Sequence, residues 1–150
     1  MKIISIINQK GGVGKTTTVI NLASALTQQN KKILVIDLDP QGNATTGLGL
    51  SNLERSDETI YGILNGTKTI SEVIKRTQFD NLDLITSNVD LSGLEVETAG
   101  DSDRAFILKT KLALFLNDSG GSYDYILIDC PPSLSLLTVM ALVCSNSLLV

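Results

Sequence analysis

Asn8-Gln9-Lys10-Gly11-Gly12-Val13-Gly14-Lys15-Thr16-Thr17-Thr18 is the stretch that decides how this chain reads. The apolar run Ile3-Ile4-Ser5-Ile6-Ile7 precedes it, and Thr17 to Gln28 follows with helical periodicity. Strand, glycine-rich loop, Lys, Thr and helix is the layout of a phosphate-binding P-loop. Glycines let the backbone curl until successive N–H groups point at an anion. The helix that follows adds the positive end of its dipole. In such a loop Lys15 reaches the β- and γ-phosphates and the Thr16 hydroxyl holds Mg²⁺. The loop residues Lys10, Gly11, Gly12, Val13, Gly14, Lys15, Thr16 and Thr17 are therefore the candidate nucleotide contacts.

The pattern departs from G-x-x-x-x-G-K-[ST], because Gln9 stands where the first glycine belongs and Lys10 opens the loop. Lys10 through Thr16 resembles the deviant Walker A loop of the ParA, MinD and nitrogenase-iron-protein group. That resemblance implies that Lys10 crosses a dimer interface to a partner's nucleotide. Without it, Lys10 would read as a solvated surface lysine.

Outward from the loop, the chain reads as one domain over its 150 residues, long enough for a real core. Hydrophobic residues make up 43% of it, and the mean hydropathy is +0.21, a globular balance. A net charge of −4 argues against this stretch being a nucleic-acid surface by itself. Histidine is absent, which removes histidine bases and metal ligands. The two cysteines, Cys130 and Cys144, are too few for a disulfide scaffold and read as packed thiols. The apolar run before Asn8 is too short for a signal-peptide core. Leu134 to Val150 is broken by Ser145-Asn146-Ser147 and falls short of the roughly 20 residues a membrane span needs. A cytoplasmic protein is expected.

Lys2–Ile7 and Lys32–Asp37 read as buried parallel strands flanking a helix with Val19, Leu22, Ala23 and Leu26 on one face. So short a connection calls for a right-handed βαβ unit. The second strand runs into Asp37-Leu38-Asp39-Pro40-Gln41-Gly42-Asn43. Ligands of open α/β sheets bind beyond the carboxyl ends of strands, so Asp37 and Asp39 belong on the side of the loop. Further on, Thr59–Leu64 reads as a short helical turn. Thr69-Ile70-Ser71-Glu72 reads as a capping box opening a helix through Arg76. Leu82–Thr86 reads as a third strand. Asp103–Leu116 is an amphipathic helix with Leu108, Leu112, Phe115 and Leu116 on one face. Tyr125-Ile126-Leu127-Ile128-Asp129 is a fourth strand, ending in the acid of a Walker B pattern that binds Mg²⁺. Pro131-Pro132 then stiffens a switch-like turn, Ser133 or Ser135 caps a helix over Leu136–Val143, and Ser147–Val150 begins a fifth strand. A chain that stops inside an apolar run is expected to continue.

Asp37-x-Asp39-Pro40-Gln41-Gly42-Asn43, like Asn88-Val89-Asp90-Leu91-Ser92-Gly93, is similar to stretches of ParA/Soj-type partition ATPases. The resemblance spans the chain. It implies a three-layer α/β P-loop fold with a mainly parallel sheet of order 3-2-4-1-5. It implies that Asp39 orients the hydrolytic water and that Asp37 and Asp129 lie near Mg²⁺. It implies slow ATP hydrolysis, an ATP-dependent homodimer, a ParB-type partner, and non-specific DNA binding through residues beyond Val150 while nucleoid-associated. No membrane partner is expected. A MinD-type membrane ATPase and an iron-protein-like redox ATPase are the alternatives. The latter lacks a candidate cysteine ligand upstream of Cys130.

Overall fold

The computed structural model describes residues 1–7, 13–51, 55–118 and 122–150. Lys10, Gly11 and Gly12, and with them the proposed trans-acting lysine, lie outside the described residues. A six-stranded sheet forms the middle layer. Its strands are β1 (Lys2–Ile6), β2 (Ile33–Asp37), β3 (Lys75–Arg76), β4 (Leu82–Ile85), β5 (Tyr125–Asp129) and β6 (Ser147–Leu149). The spatial order is β3-β4-β2-β5-β1-β6. All neighbours are parallel except β3 and β4. The expected order 3-2-4-1-5 is the stretch β4-β2-β5-β1-β6, and β3 is an added antiparallel edge.

That edge shortens a helix. The Glu72 carboxylate accepts from the Thr69 N–H at 2.9 Å, as the capping box requires, but α4 (Ile70–Val73) stops before Arg76. Ile74 is extended at φ −64, ψ 134. Lys75 and Arg76 then pair with Leu84 and Asp83. Sheet pairing replaces helix propagation here, and the two residues trade helical hydrogen bonds for ladder ones.

Alternation along the strands builds cores on both faces of the sheet. Leu34, Ile36, Ile126 and Ile128 face one cluster. It is closed by α3 (Ile60–Leu64), α6 (Ile107–Asn117) and α7 (Leu136–Cys144), with Ile63, Leu108, Leu112 and Met140 buried. Ile33, Val35 and Leu127 face the other cluster, against Val19 and Ala23 of α1 (Val13–Gln28). A short helix α2 (Asn43–Gly47) and another, α5 (Leu94–Glu97), sit in the connections after β2 and β4. Gly42 precedes α2 at φ 67, a left-handed conformation that glycine takes without a Cβ penalty. Among the described residues no helix is long and apolar enough to cross a membrane.

Candidate functional site

The site lies at the carboxyl ends of β1, β5 and β2. Parallel pairing in register brings Ile6 beside Asp129 and Asp129 beside Asp37, so neighbouring strands end in buried carboxylates. α1 begins at Val13, earlier than the periodicity from Thr17 suggests, and so carries Gly14, Lys15 and Thr16 in its first turn. A helix N-terminus thereby faces the strand ends.

Lys15 is the centre of the constellation. Its side chain is 2% exposed, an uncommon setting for lysine. The ammonium donates to the Asp129 carboxylate and to the Cys130 carbonyl, and lies 3.9 Å from Asp39 Oδ2. Thr16 Oγ1 donates to Asp129 Oδ2 at 3.3 Å. Burial pushes the Asp129 carboxyl above its usual range, and the Lys15 charge and the Lys15 and Thr16 hydrogen bonds pull it back. Thr17 is exposed on α1. Among the described residues, a side chain added at Gly14 would meet no atom within 4 Å, so space is open there at the start of α1.

Asp37 and Asp39 have different surroundings. Asp37 is fully buried. Its Oδ2 accepts from the Thr45 N–H at 2.8 Å and the Thr45 hydroxyl at 2.7 Å, and its Oδ1 accepts from the Asp39 N–H at 3.1 Å. Burial pushes this carboxyl up to about 7, with Asp129 adding to the rise and the Thr45 bonds opposing it. Asp37 thus fastens the turn that carries Asp39. Asp39 Oδ1 accepts from the Gln41 N–H at 3.0 Å, and its Oδ2 is turned towards Lys15. The Ser87 hydroxyl donates to the Asp39 carbonyl at 2.8 Å, and the Thr45 hydroxyl accepts from the Ser87 N–H at 3.0 Å.

Thr45, Ser87 and the Cys130 carbonyl were invisible as site parts in the sequence. Thr45 sits in a polar run, where nothing marks it from Thr46, and Ser87 joins from another strand end. The helix cap expected from Ser133 or Ser135 also comes from elsewhere. Ser135 Oγ is buried without a hydrogen-bond partner among the described residues, and the Leu136 N–H donates to Glu95 Oε1 at 3.1 Å. The Cys130 thiol is buried and pushed up to about 12, chiefly by desolvation, and so stays protonated at neutral pH.

The AAA domain family profile matches residues 1–150. Over 149 residues the chain is 45% identical to the sporulation initiation inhibitor protein Soj of Bacillus subtilis, covering 99% of this chain and 57% of that protein. It is 42% identical over 150 residues to the chromosome partitioning protein ParA of Caulobacter vibrioides, covering 100% of this chain and 55% of ParA. Among solved structures, cobyrinic acid a,c-diamide synthase from Mycobacterium smegmatis, with bound ATP analog and magnesium, superposes with a TM-score of 0.89 at 36% identity. That superposition covers 99% of this chain and 58% of the synthase. The chain thus spans about half the length of the curated relatives it matches. With the whole of its length matched, the chain belongs to the AAA domain family, and Soj and ParA partition proteins are its relatives.

Proposed function

We propose that this chain is the nucleotide-binding part of an ATP-dependent partition switch that hydrolyses ATP slowly to ADP and phosphate. The observation that carries the reading is the buried Lys15 ammonium, held among Asp129, the Cys130 carbonyl and Asp39 at the head of α1. A buried ammonium at the head of a helix, with space open at Gly14 among the described residues, fits a polyphosphate. Lys15 binds the β- and γ-phosphates, and Gly11 to Thr17 surround them with backbone N–H groups. Thr16 and Asp129 are the residues that would hold Mg²⁺. Among the described residues no three acidic or cysteine side chains converge into a cage, which suits an ion that is usually bound by few protein ligands together with phosphate and water. Bound magnesium supplies neutralisation of charge on the phosphate oxygens.

Asp39 orients the attacking water through Oδ2, and Asp37 holds the Asp39 turn, acting on the cation only at one remove. Lys10 reaches the nucleotide of a second protomer, so ATP drives homodimerisation. The dimer then binds DNA non-specifically and a ParB-type partner stimulates hydrolysis, in the cytoplasm and on the nucleoid. The resemblance of the loop and of the Asp37–Asn43 stretch to partition ATPases supports these last steps.

Titration calorimetry with ATP and Mg²⁺, light scattering and phosphate release on the full-length protein test the reading together. The expected outcome is ATP binding, ATP-dependent dimers and slow turnover, with Lys10→Ala keeping the first and losing the other two. A Lys15→Gln variant that binds ATP as tightly as the wild type would overturn the phosphate site. A Lys10→Ala variant that still dimerises returns Lys10 to the solvent.

A further inference from the structure

The segment 131–135 joins Asp129 and Cys130 to α7 and is held at both ends by side chains from elsewhere. At its start the Cys130 carbonyl accepts from Lys15. At its end the Leu136 N–H donates to Glu95 Oε1, across 41 positions of sequence. Ser135 occupies the N-cap of α7 in an extended conformation but, among the described residues, makes no side-chain cap bond. The cap therefore comes from α5. That helix is a firm post. Leu94 of that helix and Leu91 just before it are each 1% exposed, the Arg104 guanidinium donates to the Glu95 carbonyl at 3.0 Å, and the Tyr61 hydroxyl donates to Glu97. Between α5, the 131–135 segment and the Asp39 turn lies a cavity of about 320 Å³. Glu95, Pro132, Leu136, Gln41 and Asp39 all border it.

We propose that Glu95 is a positioning residue for the site: by capping α7 from across the cavity it sets the 131–135 segment beside Asp129 and Lys15. Its carboxylate satisfies a helix N-terminal donor that the local serine leaves unmet, and its charge suits the helix dipole. Glu95 touches no reacting atom and acts through α7. The effect on turnover rests on the ATPase reading, whereas the effect on the order of the segment does not.

Because Glu95 is itself exposed, its truncation leaves the core intact. Hydrogen exchange at the Leu136 amide, with kcat and KM for ATP, is measured on the full-length protein for wild type, Glu95→Gln and Glu95→Ala. Loss of one capping bond is expected to speed Leu136 exchange about fivefold in Glu95→Ala while the amides of β1 and β2 keep wild-type rates. kcat is expected to fall by about tenfold with KM within about twofold, the signature of lost positioning rather than lost binding. Glu95→Gln, which keeps the acceptor oxygen but not the charge, is expected to lie between wild type and Glu95→Ala in both, nearer the wild type. Unchanged Leu136 exchange in Glu95→Ala, an unchanged kcat, or a Glu95→Gln variant as impaired as Glu95→Ala would each overturn the proposal. A wild type that turns over no ATP would instead overturn the ATPase reading, leaving the exchange rates to decide the role of Glu95.

Discussion

Lys15→Met replaces the buried ammonium by a side chain of similar length without charge. Asp129 is fully buried and Asp39 is 4% exposed, and the Lys15 ammonium contacts both. Removing one partner of a buried pair leaves an uncompensated charge and costs about 3–5 kcal/mol. In a chain of this size that lowers the melting temperature by roughly 10 °C. The deficit depends on pH in a definite direction. Burial already raises the Asp129 carboxyl above its unfolded value, and the Lys15 charge opposes the rise. Without Lys15 the folded value climbs further. A group raised in this way is fully stabilising below its unfolded pKa and loses that contribution as pH rises through the folded value. The deficit is therefore largest at high pH and shrinks as pH falls and Asp129 takes a proton. Lys15→Met combined with Asp129→Asn removes the stranded charge and should recover most of the loss, with a coupling visible in a double-mutant cycle. Thermal melts of the nucleotide-free variants at pH 5, 6.5 and 8 measure all of this. A single variant that melts within about 2 °C of wild type at pH 8, or whose deficit grows as pH falls, would refute the view of Lys15 as the counter-ion of this cluster.

On the proposed role of Asp39, Asp39→Ala is expected to turn over at least about a hundredfold more slowly in phosphate-release assays, while ATP affinity changes far less because Lys15 and Thr16 remain. Thr45→Val removes the hydroxyl that donates to Asp37 and accepts from Ser87, and urea unfolding should report a loss of about 1–3 kcal/mol. Because the folded Asp37 carboxyl is pushed up to about 7, its contribution to stability falls as pH rises from 4 to 7, and Asp37→Asn should flatten that part of the urea-midpoint profile. Thr16→Ala should weaken ATP binding in Mg²⁺ more than in EDTA, as read by calorimetry.

Much of this protein is legible in one dimension because its information is local. Ile33 to Asp37 and Tyr125 to Asp129 read as buried strands because an unbroken apolar run fits only a sheet covered on both faces. Gly14-Lys15-Thr16 reads as a phosphate loop because backbone curl, cation and hydroxyl must be adjacent in sequence to be adjacent in space. The same locality placed Asp37, Asp39 and Asp129 at strand ends. It did not give the end of α4, where Lys75 and Arg76 leave the helix for a strand partner that only the folded sheet supplies. It separated Asp37 from Asp39 by their distance from the strand end, but not by the partners each takes. Both precede a turn in sequence, and Thr45 and the Asp39 N–H occupy the oxygens of one while the other is turned towards Lys15. The local rule puts the cap of α7 on Ser133 or Ser135, whereas the folded chain brings Glu95 to the Leu136 N–H from a helix on the other side of a cavity. Strand identity and the phosphate loop were set by the sequence itself, through periodicity and adjacency. Which carboxylate fastens, which faces the cation and which caps were decided by tertiary structure, because a hydrogen bond between distant residues has no spacing to leave in the chain.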